Sequence, residues 1–189
     1  MSNKDTEIDI KEHQQPQQAY QLTMVIENAP GLFGLIEGSA QYDVVNHQEC
    51  GQLNALSGTR SRITTHPEIK WKALGNDRYS TIVYRDLIVD EDYYGSGVCR
   101  WTLTAASALL KATGAEIETR FLPGISTNDI LAEKTVKLYF WKKGYPAEPD
   151  AAPDDKGFPD FGYESPDKFR PELRGDLFTV TLMAEEIRL

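Results

Sequence analysis

The stretch CRWTLTAASALLK, residues 99–111, decides the fold class. Cys99, Trp101, Leu103, Ala105, Ser107 and Leu109 share one parity, and Arg100, Thr102 and Thr104 take the other. That period of two is the mark of a half-buried β-strand. A rival pattern overlaps its second half. Over 104–111, Ala105, Ala106, Leu109 and Leu110 also fit the spacing of a short helix. The strand is favoured because it continues the alternation that starts at Cys99. Thr113-Gly114 then serves as its turn.

Working outward, the same period recurs. Tyr20, Leu22, Met24 and Ile26 alternate with polar neighbours until Asn28-Ala29-Pro30-Gly31 breaks the run. Shorter alternations follow at Ala40–Val44 and Ile69–Ala73, the latter closed by the hairpin-type turn Gly75-Asn76-Asp77. Tyr79–Val89 is apolar on both faces and reads as a central or bent strand. Ile117–Phe121, Val136–Phe140 and Phe178–Ala184 complete the set. These eight candidate strands lack intervening long amphipathic helices, which disfavours βαβ units. The expected fold is all-β: an antiparallel β-sandwich of about eight strands with a long irregular loop in its C-terminal third. Gly97 stands where an immunoglobulin variable domain would carry the tyrosine two residues before its second cysteine. Residues 19–189 are expected to form this single domain. Residues 1–18 hold two isoleucines and no aromatic residue among charges and glutamines. They are expected to be a flexible polar tether, because such a segment buries too little to offset its ordering entropy. It is either a native start or what remains after removal of an export signal, for example a lipoprotein signal.

The 189 residues carry 20 Lys and Arg against 29 Asp and Glu, a net charge of −9. That balance disfavours nucleic acid as a partner, since its binding proteins present a basic face. Residues 144–172 concentrate the charge. They hold eight acids against three bases, six of the ten prolines, and the aromatics Tyr145, Phe158, Phe161, Tyr163 and Phe169. Pure disorder lacks aromatics, so an ordered loop pinning them on the sandwich is expected.

Catalytic signatures are scarce. His13, His47 and His66 lie in loop-like contexts. Gly95-Ser96-Gly97 lacks the spacing of a nucleophile elbow, and no H-E-x-x-H or glycine-rich phosphate loop is present. No catalytic residue, metal site or cofactor is expected. Cys50 and Cys99 admit two readings: buried thiols, or one disulfide in an oxidising compartment. Their turn-like surroundings favour the disulfide, which would stabilise by about 3–4 kcal/mol in the chain-entropy model. Asp90-Glu91-Asp92-Tyr93-Tyr94 reads either as a solvated acidic turn with its tyrosines packed at the base or, combining steering carboxylates with anchoring aromatics, as a partner-binding patch, while a Ca²⁺ site lacks EF-hand spacing. Asp154, Asp155, Phe158 and Phe161 form a second such patch within the proline-rich loop. Trp141 and Tyr145, beside Lys142 and Lys143, offer an alternative surface for stacking a sugar. An edge strand over 116–122 offers a route to a homodimer.

Four stretches carry a family resemblance: DEDYYGSGVCRW (90–101), TRFLPGIS (119–126), LYFWKKGYP (138–146) and DLFTVTLMAEE (176–186). Across roughly 20–186 the chain resembles small exported or lipid-anchored proteobacterial proteins. Some of these resemble immunity proteins against type IV or type VI antibacterial effectors. The resemblance implies a periplasmic β-rich domain without catalysis, whose partner is a toxin. The acidity of this chain suits a toxin with a basic contact surface. An envelope module binding carbohydrate or protein is the alternative.

Overall fold

The structure is a computed structural model that describes residues 8–150, 152 and 157–188. Among these, eleven strands form two packed sheets, so the chain is an all-β sandwich. The strands are β1 (Ala19–Glu27), β2 (Leu35–Val44), β3 (Thr64–Thr65), β4 (Lys72–Gly75), β5 (Arg78–Tyr84) and β6 (Trp101–Lys111), followed by β7 (Arg120–Phe121), β8 (Gly124–Ser126), β9 (Thr135–Trp141), β10 (Pro159–Asp160) and β11 (Leu177–Ile187). The first sheet runs β4-β5-β1-β11-β9 and is antiparallel throughout. The second runs β10-β7-β6-β2-β3, with β8 beside β6; its β10–β7 pair is parallel. Two short helices, α1 (His47–Cys50) and α2 (Thr127–Leu131), lie in connections.

Alternation explains the first sheet directly. Leu22, Met24 and Ile26 of β1 and Phe178, Val180 and Leu182 of β11 all point inward and are buried. Opposite them, Tyr42, Leu103, Leu110 and Phe121 come from the second sheet. The aromatic centre is Phe140 stacked on Phe178 at 5.2 Å, with Phe121 edge-on to both. Such pairs add about 0.5–1.5 kcal/mol each beyond the area they bury.

The 99–111 stretch is a strand, but its parity changes midway. Gln41 pairs with Ala105 and Tyr42 with Leu103, which leaves Thr104 as an extra residue. This β-bulge reverses the facing of everything after it. Leu103 is buried, and then Ala106, Ala108 and Leu110 are, instead of the expected Ala105, Ser107 and Leu109. The Thr104 hydroxyl donates to the Gln41 carbonyl across the bulge at 3.1 Å.

Two other strands are shorter than expected, each because a carboxylate captures backbone N–H groups. β5 ends at Tyr84. Just beyond it, Asp86 accepts the N–H groups of Gln17 and Gln18, both at 2.9 Å. Residues 87–89 then diverge to pair with residues 11–13. Likewise, the buried Glu118 carboxylate accepts from Thr113 N–H and Oγ and from Gly114 N–H. That closes a tight turn and delays β7 until Arg120.

The proline-rich loop acts as a clasp over both sheet edges. Arg120 N–H donates to Phe158 O and Leu122 N–H to Asp160 O, so β10 occupies the edge beside β7. Tyr163 exchanges both backbone bonds with Tyr139 and covers β9. Gly157 sits at φ +85° where a Cβ would lie 2.3 Å from Glu118 O, so only glycine fits there. The expected 116–122 edge is therefore corrected. It is two residues of strand, already paired on both sides, and offers no free ladder to a second copy.

The bulge is directly testable. Deleting Thr104 should remove the bulge, leave Leu103, Ala106, Ala108 and Leu110 in one unbroken inward alternation and keep a cooperative denaturant transition. Inserting one residue between Ala106 and Ser107 should instead turn Ala108 and Leu110 to the wrong face and abolish it. Thr104→Ser should cost less than about 1 kcal/mol. A deletion variant that loses its cooperative transition, or an insertion variant as stable as wild type, contradicts the assignment.

Candidate functional site

Cys50, at the end of α1, is bonded to Cys99, just before β6; their Cα atoms are 5.2 Å apart and 49 residues apart in sequence. Around the bond lies a small second core of Val44, Cys50, Ile63 and Cys99. Ile8, Tyr93, Tyr94 and Trp101 pack against it. Asn46 reinforces the link with its side chain. Its Nδ2 donates to Val98 O at 2.9 Å, and its Oδ1 accepts Arg100 N–H at 2.8 Å.

The acidic turn at 90–94 hangs from this staple. Glu91 pairs with Cys99 through the backbone, and its carboxylate meets Lys11 Nζ at 2.7 Å. Asp90 accepts Trp101 N–H at 2.8 Å. Asp92 accepts the N–H groups of Tyr94 and Ser96. Burial works to raise the Asp92 pKa, but the surrounding backbone donors, Gly97 and Ser96 foremost, outweigh it and hold the carboxyl low. The Tyr93 hydroxyl donates to Val89 O at 2.7 Å, and its ring meets Trp101 edge-on. Burial pushes both tyrosine hydroxyls up. Every member of the turn thus has a positioning bond or a packed ring, while Asp90 and Asp92 remain exposed. The result is a fixed acidic surface with half-buried tyrosines at its base.

The second expected patch lies elsewhere. Asp154 and Asp155 fall outside the described residues. Phe158 and Phe161 are exposed, Phe161 at 65%. They flank β10, which joins β7, and β7 meets β6 only at Leu110. The acidic turn meets the other end of β6, at Trp101. Eight strand residues lie between those points, about 30 Å. The two patches are therefore distinct surfaces. Beneath the second, Asp160 is pushed up by burial, and Glu148 by burial and by the charges of Asp150 and Asp160. The Trp141–Tyr145 sugar platform is not assembled as an open surface. The Tyr145 hydroxyl donates to Leu32 O at 2.6 Å, its ring meets Phe33 edge-on, and the Trp141 Nε1 is buried.

Sequence reasoning missed a polar cleft of about 420 Å³ beside the acidic turn. His13, Gln18, Arg85, Asp86, Ile88 and Trp101 contribute to its lining. It exists because residues 8–18, read from sequence as part of a loose tether, run along residues 85–91. The signal was the spacing of Ile8 and Ile10, which pack against the small and the main core respectively. Among the described residues no cluster of three or more His, Cys, Asp or Glu is placed to hold a metal ion. No family model, curated protein or solved structure matches the chain.

Asp86 gives the docked N-terminal segment a pH dependence. Burial works to raise its pKa, but the Gln17 and Gln18 N–H groups, with its own N–H and nearby His13, outweigh it and shift it down. A depressed carboxylate contributes stability that is complete above its ordinary value of 3.8 and lost as pH falls through the folded value. The Gln17 and Gln18 amide resonances should titrate together with a midpoint below 3.8. A midpoint at or above that value contradicts the assignment.

Proposed function

We propose that the chain is a non-catalytic periplasmic binding protein, an immunity protein that binds and neutralises an antibacterial secreted effector. The observation that supports this reading most is the acidic, tyrosine-based turn at 90–94, held by the Cys50–Cys99 disulfide and its hydrogen bonds. A disulfide persists in oxidising compartments, which agrees with export. A turn already fixed in place loses little entropy on association, so more of its contact energy appears as affinity. Exposed carboxylates beside packed aromatics attract and then orient a basic surface. The family resemblance supplies the kind of partner. Tethering to the membrane through a lipoprotein signal would place the protein where an incoming effector arrives.

Neutralisation requires near-complete occupancy, a Kd of about 1 nM or tighter, equivalent to about −12 kcal/mol. The test is surface plasmon resonance of the purified protein against the product of the adjacent gene. Binding should be nanomolar or tighter, with an association rate that falls about tenfold or more from low to high salt while the dissociation rate changes little. Absence of a complex, or association indifferent to salt, contradicts the proposal.

A further inference from the structure

A second hairpin stands on the same staple as the acidic turn, and its chemistry is opposite. Residues 51–61 leave Cys50 and return to the buried Ile63. Leu53 pairs with Arg60, Asn54 N–H donates to Thr59 O, Gly58 N–H to Asn54 O and Ser61 N–H to Gln52 O. At the tip, Asn54 Oδ1 accepts the N–H groups of Leu56 and Ser57 at 3.0 and 3.2 Å, fixing an Asx turn. At the root, the Arg60 guanidinium donates to Gly51 O, and a Cβ on Gly51 would lie 2.5 Å from His47 O. This short hairpin is therefore bonded along its length and anchored at its base.

What it presents is unusual for so acidic a chain. Leu56 is 100% exposed at the tip, and Leu53, Val45 and Val98 are exposed nearby or at the base. From Gly51 to Pro67 there is no acidic residue, while Arg60 and Arg62 lie on the returning arm. Arg100 is exposed on the strand segment bonded to Val45. A lone exposed leucine is ordinary. A fully exposed one held on a bonded tip, with arginines behind it and three further apolar side chains around the base, has the composition of an anchor and its surround.

We infer that the 51–61 hairpin is the inserting element of the complex: Leu56 enters an apolar pocket of a partner protein whose rim carries carboxylates, and Arg62 and Arg100 meet that rim. This rests on the immunity-type reading and adds the mode of engagement. The acidic turn at 90–94 lies across the disulfide from the hairpin, so the binding end carries both signs of charge side by side. Opposed charges fix the orientation of docking as well as its rate. A protein pocket is favoured over a lipid surface because one leucine with two or three arginines is a weak membrane anchor, whereas it suffices to fill one pocket.

The test uses the full chain and the product of the adjacent gene in surface plasmon resonance. The variants are Leu56→Asp and Arg62→Glu, whose side chains make no hydrogen bond or ion pair among the described residues. Thermal melting and far-UV circular dichroism should match wild type. The inference predicts that Leu56→Asp weakens the complex about 30-fold or more, mainly through faster dissociation, and that Arg62→Glu slows association. Wild-type binding with Leu56→Asp equally tight overturns the inserting role and leaves the immunity reading standing. Failure of wild type to bind overturns both. Two controls name the other occupants. Wild type is floated with phosphatidylglycerol vesicles and sedimented alone; loss of vesicle binding or of a dimer in Leu56→Asp, with effector binding intact, assigns the tip to lipid or to a second copy and overturns the inference.

Discussion

The Cys50–Cys99 bond is the constraint on which the end carrying the 90–94 turn and the 51–61 hairpin depends. The main core between the sheets is large and aromatic-rich, and the cysteines are not part of it. Among the described residues, the end that carries the acidic turn and the arginine-flanked hairpin has a buried hydrophobic cluster of four residues, two of them the bonded cysteines. So small a cluster is too little to order two excursions and residues 8–18. A link across 49 residues of sequence removes about 4 kcal/mol of loop-closure entropy from the unfolded state in the chain-entropy model. Asn46 repeats the link by hydrogen bonds, and Glu91 extends it to Lys11. Two surfaces of opposite charge are thereby held at one end of a rigid sandwich.

The charge distribution gains meaning from this geometry. A net charge of −9 describes the chain as a whole, yet the disulfide end is locally mixed, with carboxylates on one side of the staple and arginines on the other. The other acidic concentration, in the proline-rich loop, lies about 30 Å away by strand rise. It serves the fold as well, since the loop closes the edges of β7 and β9. Edge strands left open are sites of unwanted pairing, and this clasp removes two of them.

Much of the sandwich was legible in the residues. The alternations of β1, β9 and β11 point the expected side chains inward, because nothing local competes with the ladder there. Departures occur where one side chain overrides a period. Thr104 adds a residue to β6 and reverses its later half, a change no alternation count reveals. Asp86 and Glu118 capture N–H groups and shorten two strands. The docked segment 8–18 was hidden by its composition, since two isoleucines are few and their burial depends on a cleft made by distant residues. At the candidate site, Cys50, Cys99 and the 90–94 turn stood out by residue type. The 51–61 hairpin did not, because its importance lies in exposure and in its attachment to the staple, which are three-dimensional facts.

Hydrogen exchange by mass spectrometry on wild type and the Cys50→Ala/Cys99→Ala variant measures that dependence most directly. The account predicts that protection falls first and most in residues 45–63 and 90–100. The strands Ala19–Glu27 and Leu177–Ile187 should keep their protection order, lowered only by the global loss of about 4 kcal/mol. Uniform loss across both regions, or unchanged protection at 45–63 and 90–100, would contradict the view that the disulfide specifically holds that end of the sandwich.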